Sequence, residues 1–162
     1  ERVLELTVEH ATVREQFGRP IRAFQAIRKQ IAQLATYVAA ANRAAQVAGE
    51  AAEHGYAATE IAAAKARIGE AATQGAAIAH QVNGAMGITY EHTLHHFTRR
   101  LWTWRDDFAP ERHWQRELGR AALAKGAEGL WPSVAGVQTP RPRQRFGISS
   151  FVLRTRSTYS AR

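Results

Sequence analysis

Two glycines, Gly84 and Gly87, stand between an alanine-rich helical run and a new amphipathic one, inside the stretch Gln81-Val82-Asn83-Gly84-Ala85-Met86-Gly87-Ile88. They mark a tight interhelical turn that permits φ > 0 and close approach by a backbone or ligand. A glycine turn feeding a helix N-terminus offers unbonded N–H groups and a partial positive charge, which suits phosphate. The plain alternative is a turn and nothing more, and both readings can hold at once. Arg14, close before Phe17-Gly18, adds a guanidinium fork that matches phosphate oxygens; taken alone, an exposed salt-bridging arginine is the plainer reading. His92, His95 and His96 share one helix face at metal-ligand spacing. No carboxylate or cysteine stands at a complementary spacing, so a solvated or packing role is favoured and no metal is expected. Asp106 and Asp107 could do acid–base work, or serve as charge at a helix end or an N-cap for the next helix. The Arg99-Arg100 pair fits either a charged helix face or an interface with a partner subunit.

A second stretch changes the weight of the first. Arg14-Glu15-Gln16-Phe17-Gly18-Arg19-Pro20-Ile21 is followed by Phe24-Gln25-Ala26-Ile27, and some sixty residues later comes Gln81 to Ile88 with Thr89, Glu91 and His92. Together these motifs resemble the C-terminal helical domain of the acyl-CoA dehydrogenases, a flavoprotein family. The resemblance runs from about Glu1 to about Ala135. It implies FAD as cofactor and an acyl-CoA substrate undergoing α,β-dehydrogenation. It also implies a homo- or hetero-oligomer (dimer or tetramer) and an electron-transfer acceptor protein.

The resemblance also implies roles for individual residues. Arg14 would reach the pyrophosphate of a flavin adenine dinucleotide held mostly by the neighbouring subunit. Phe17 would pack by its adenine end, with Phe24 and Gln25 lining the same region; core packing is the alternative for both phenylalanines. Gln81 would supply a hydrogen-bonding amide, and Gly84 and Gly87 close backbone approach. The family removes the substrate's α-proton with a carboxylate, commonly a glutamate in a Tyr-Glu-Gly-Thr type of segment after the fourth helix. This chain has Trp104-Arg105-Asp106-Asp107-Phe108-Ala109 there, and an ungapped alignment sets Phe108 at the glutamate's place. Asp107 is the candidate base, with Asp106 or a residue outside these 162 positions as the alternatives; some subunits of mixed oligomers lack a base.

The positioning elements follow from periodicity. Val3, Leu4, Leu6, Val8, Ala11 and Val13 read as the end of a helix whose beginning is missing, so the sequence is expected to be a fragment in which no targeting signal can be assessed. Gly18 suits a C-cap there, and Pro20 can open the next helix. That second helix is expected from about Ile21 to Ala52, roughly 45 Å long. A third, from Ala57 to about Val82, has so many alanines that it should lie centrally among close neighbours. A fourth is expected from Thr89 or Tyr90 to about Asp106, with Leu94, Phe97, Leu101 and Trp104 on its apolar stripe. A fifth, opened by Ala109-Pro110-Glu111 and running to about Lys125, should turn Trp114, Leu118, Ala122 and Leu123 inward. Short loops favour an all-α, up-down antiparallel bundle of four to five helices over residues 1–131.

Trp131-Pro132 should close that domain. Residues 132–162 are expected to be a disordered basic tail or a short stray strand; a non-native extension fits as well. Their composition is arginine, serine, threonine, proline and glycine with one short apolar patch. The tail also explains the charge. Of the net +8, six charges belong to Arg141, Arg143, Arg145, Arg154, Arg156 and Arg162, leaving 8 − 6 = +2 for residues 1–131. Nucleic-acid binding therefore ranks last, and none is expected. The absence of cysteine excludes disulfides and thiol nucleophiles and fits a cytoplasmic setting. No stretch approaches the ~20 apolar residues of a membrane span. Two readings remain: part of a flavin enzyme, inactive and weak in flavin affinity when isolated, or a non-catalytic helical oligomerisation module or degenerate family subunit.

Overall fold

A computed structural model describes residues 1–55 and 57–135. The order is α1 (Arg2–Val13), a two-residue hairpin of β1 (Glu15–Gln16) and β2 (Arg19–Pro20), a 3-10 turn (Ile21–Ala23), α2 (Gln25–Glu53), α3 (Ala58–Asn83), a second 3-10 turn (Gly84–Ile88), α4 (Leu94–Asp106) and α5 (Glu111–Val134). The fold is all-α, as the periodicity predicts. Contacts divide the chain after Ala124.

Cross-helix contacts fix the directions. His80 and Thr73 of α3 meet Thr98 and Arg105 of α4 respectively, so α3 and α4 run antiparallel. Glu1 reaches Asn42 while Ala11 clusters with Ile31 and Ile27, so α1 opposes α2. The small residues of α3 bring α2 close: a Cβ added to Gly75 would stand 3.2 Å from Leu34 Cδ1. Ala62, Ala64, Ala72, Ala76 and Ala79 are buried along the same helix, which packs on α1, α2 and α4 and is central.

Two apolar clusters hold the bundle. One joins Val3, Leu6, Leu34, Ala79 and Leu94, with Phe97 and Leu101 packed on it. The other joins Ala11, Ile21 and Val82, with Phe24, Ile27 and Ile31. Beside them lies a polar pair: Asn83 donates to Thr7 Oγ1 at 3.5 Å and to the Ala79 carbonyl at 2.8 Å, while Thr7 donates to the Val3 carbonyl. On α4, Leu94, Phe97 and Leu101 face the core as expected, but Trp104 remains 60% exposed.

Several boundaries differ from expectation, each for a local reason. Arg14, not Gly18, caps α1, with extended φ −70° and ψ 121°. Phe17 and Gly18 instead form the hairpin turn, at φ 53° and 74°, the paired positive values of a type I′ turn that match strand twist. Pro20 lies in β2 and opens no α-helix; the chain makes one 3-10 turn that buries Ile21, and extended Phe24 then delays α2 to Gln25. After α3, Gly84–Ile88 is itself a 3-10 turn, so α4 begins at Leu94 and not at Thr89 or Tyr90. Within α5 no residue is fully buried, and Leu123 is exposed. Helix continues past Lys125, broken at Gly126 (φ 68°, ψ 174°) and containing Pro132. Of the expected tail, residues 136–162 lie outside the described residues.

Candidate functional site at the hairpin and glycine-turn end

The hairpin projects side chains that the fold does not use. Backbone bonds fix Arg14: its N–H donates to the His10 carbonyl and its carbonyl accepts from Ile21 N–H, both at 2.8 Å. The exposed guanidinium makes no ion pair or hydrogen bond among the described residues. Phe17 is 92% exposed although its backbone is left-handed, a conformation that costs a non-glycine residue about 1 kcal/mol or more. Its ring meets Phe24 edge-on at 6.1 Å, and the Arg19 guanidinium lies 4.3 Å over the Phe24 ring. Phe24 is half-buried against the cluster containing Val82, so the hairpin motif and the end of α3 share one end of the bundle. Gln25 is exposed at the start of α2.

At the glycine turn the expected residues split. Gln81 is exposed. Gly84 has φ 58° and ψ −146°, with nothing within 4 Å of where a Cβ would stand, so this backbone is open to a ligand. Gly87 is buried and faces protein: a Cβ there would fall 2.9 Å from Asn83 Cβ, 3.1 Å from Leu94 Cδ2 and 3.3 Å from His80 Nδ1. α4 starts seven residues after Gly87, so the glycine pair does not lead directly into its N-terminus.

Periodicity did not single out His80, yet it anchors this end. Its Nε2 lies 2.9 Å from Thr98 Oγ1, its ring stacks on Trp102 at 5.9 Å, and its buried Nδ1 has no hydrogen-bond partner among the described residues. Burial first, then the nearby His95 and His92, hold it below its ordinary value of 6.5. Burial likewise lowers His10, whose ring stands 6.0 Å from that of His92. The partner of His80, Thr98, is eighteen residues away across a turn, a separation that leaves no periodic signal in the sequence.

The aspartates lie elsewhere. Lys65 Nζ donates to the Asp107 carbonyl at 2.8 Å, and Lys65 is sixteen residues before Gln81 on α3, roughly 24 Å at 1.5 Å per residue. Asp106 is gripped at both oxygens by Arg105, at 3.2 and 2.9 Å, and that bond holds its carboxyl below the ordinary value. His95 Nδ1–H donates to the His92 carbonyl at 2.8 Å, and His92 Nδ1 accepts from Leu94 N–H. Among the described residues no group of three or more candidate ligands could hold a metal ion, and no helix is long and apolar enough to cross a membrane.

Known proteins resemble this chain. Residues 1–104 match the family described as acyl-CoA dehydrogenase, C-terminal domain. The chain is 43% identical over 100 residues to the acyl-CoA dehydrogenase IpdE2 of Mycobacterium tuberculosis, covering 62% of this chain and 30% of that protein. It is 41% identical over 100 residues to the acyl-CoA dehydrogenase FadE34 of the same organism, covering 60% and 14% respectively. The chain thus spans less than a third of the length of these relatives. Among solved structures it superposes on the FAD complex of PigA with a TM-score of 0.71 at 25% identity, over 77% of this chain and 33% of that one. On the ChsE4-ChsE5 complex from Mycobacterium tuberculosis the TM-score is 0.68 at 27% identity, over 76% and 34%. In sequence and in fold, the chain belongs to the acyl-CoA dehydrogenase C-terminal domain family.

Proposed function

We propose that this chain is the C-terminal helical domain of an FAD-dependent acyl-CoA dehydrogenase and that its hairpin end holds part of a flavin across a subunit interface. The observation that carries the proposal is Phe17: a bare aromatic ring kept outside the fold, on a backbone that glycine would adopt more easily. A strained, exposed aromatic beside an unpaired arginine is what a stacking and phosphate contact requires. The donor set fits the dinucleotide. Arg14 offers a fork to the pyrophosphate, Phe17 and Phe24 offer ring faces and edges near the adenine end, Gln25 and Gln81 offer amides, and Gly84 leaves its backbone uncovered. Gly87 acts by letting the turn close on α3.

When bound, FAD supplies the acceptor for the substrate's β-hydride. This chain's own residues bind and orient it, and a carboxylate takes the α-proton. Of the two aspartates, Asp107 is the better candidate, because Asp106 is engaged by Arg105 and lowered, which weakens it as a base. The separation along α3 suits an assembly in which the hairpin end serves a cofactor held mostly by the neighbouring subunit. The partners are therefore an acyl-CoA, a like or unlike subunit in a dimer or tetramer, and an electron-transfer acceptor protein, in a cytoplasmic setting. The bundle domain ends near Trp131, and the 162-residue chain by itself is inactive.

A second reading, a non-catalytic subunit or oligomerisation module, draws on Trp104 to Ala109, where Phe108 (φ 63°, 92% exposed) occupies the family's glutamate position. The visible spectrum of the complete parent protein decides. Yellow protein bleached anaerobically by a member of an acyl-CoA panel supports the enzyme; a colourless, folded oligomer overturns it in favour of the second reading.

A further inference from the structure

Five of the seven histidines, His10, His80, His92, His95 and His96, lie in α1, α3, α4 and the loop between the last two. Ring contacts pair His10 with His92 and His95 with His96. At the centre is His80, placed between α4 and the glycine turn. Thr98 lies within 3.4 Å of the Leu94 and His95 carbonyls, to which its hydroxyl donates. The 2.9 Å contact between His80 Nε2 and Thr98 Oγ1 fits either direction; we assign the proton to Nε2, because that tautomer leaves a lone pair and not an N–H unpartnered at the buried Nδ1. That nitrogen is buried, has no partner, and faces the space just outside Gly87.

We propose that neutral His80 is the positioning residue of the Gly84–Ile88 turn, and that a proton on its Nδ1 unseats the turn. An N–H there would be a buried donor without an acceptor, carrying charge into a site that holds none of opposite sign. The titratable groups facing His80 are His95 from α4 and His92 from the loop, with His10 of α1 behind His92. No carboxylate pairs with the ring among the described residues. The turn carries Gly84 and follows Gln81, so its position sets how the flavin-binding surface is presented. That consequence rests on the function proposed above, whereas the coupling of ring to turn does not.

Two readouts on the 162-residue chain, taken between pH 5 and 8 without flavin, test the coupling. One is the titration of the His80 ring by NMR. The other is hydrogen exchange at the Gly87 and Ile88 amides, corrected for the pH dependence of intrinsic exchange. Corrected exchange at the turn should rise at least roughly fivefold on acidification, with the same midpoint as the ring, while α2 amides near Leu34 stay protected. In His80→Gln the turn's pH dependence should vanish. Turn exchange that ignores the His80 titration, or that keeps its midpoint in His80→Gln, overturns the proposal. Should that variant not fold, the coincidence of the two midpoints in the unmodified chain decides alone. Failure of the parent protein to bind flavin would leave either result intact.

Discussion

His80 Nε2 and Thr98 Oγ1 are 2.9 Å apart, and this bond joins the last turns of α3 to the first turns of α4. The two residues are eighteen positions apart in sequence, so the bond closes the segment that contains the glycine turn. Thr98 is fully buried. Thr98→Val keeps the shape and removes the acceptor, leaving Nε2–H unsatisfied, at a cost of about 1–3 kcal/mol. Thermal or urea unfolding measures it; an unchanged midpoint would show that the ring finds another partner.

The same histidine sets a direction for pH. Its folded pKa lies below the ordinary 6.5, chiefly through burial, and that of His10 is lowered likewise. The unfolded chain then binds more protons in the window between the two values, so stability falls as pH drops. The contribution is fully present above pH 6.5, erodes as pH falls through that value, and the loss is complete below the folded pKa. Urea midpoints at pH 7.5 and 5.0 should show this loss, and His80→Gln should reduce it.

The glycine pair separates two physical roles. Gly87→Ala places a Cβ 2.9 Å from Asn83 Cβ and 3.1 Å from Leu94 Cδ2, inside the packed junction of α3 and α4, and should cost about 1–3 kcal/mol. Gly84→Ala meets nothing within 4 Å but must hold φ 58° with ψ −146°, for about 1–3 kcal/mol of backbone strain. Calorimetry of the two variants measures both losses.

Leu34 tests the core. It is 1% exposed and packs across to α3, where a Cβ added to Gly75 would stand 3.2 Å from its Cδ1. Leu34→Ala should destabilise by about 2–5 kcal/mol, read from denaturant unfolding. A smaller loss would mean that α2 closes onto Gly75 and fills the space.

Much of this fold was legible in advance because its signals are local and repeated. The stripes of α2 and α4, and the alanines that let α3 sit centrally, are periodic over several turns, and periodicity is what a linear sequence displays best. The ends were harder. Gly18 reads equally as a helix cap or a hairpin turn, and the turn won because Ile21 buries itself in one 3-10 turn and pulls the chain back along α1. The delay of α4 to Leu94 has a similar cause, with Gly87 packed under His80. For the site, Arg14, Phe17, Phe24 and Gln81 stand at one end of the bundle, and Asp107 lies apart from them along α3. His80 was invisible because its role depends on partners eighteen residues away and on an absence, the missing partner of Nδ1. Leu123 pointed outward because a stripe indicates an apolar face without saying what covers it.

Phe17 offers the sharpest separation of stability from function. Its φ of 53° strains a side chain that is 92% exposed, so replacing it with glycine relieves the backbone while giving up only an edge contact with Phe24. Phe17→Gly should therefore leave the unfolding midpoint of the chain unchanged or raise it by up to about 1 kcal/mol. In the complete parent protein the same change should lower flavin retention through dilution or gel filtration, as should Arg14→Ala, while Arg14→Lys keeps the charge and restores only part because it lacks the fork. Flavin retention unaffected by both Phe17→Gly and Arg14→Ala would remove the hairpin from the cofactor site. A stability loss in Phe17→Gly would show instead that the exposed ring serves the fold.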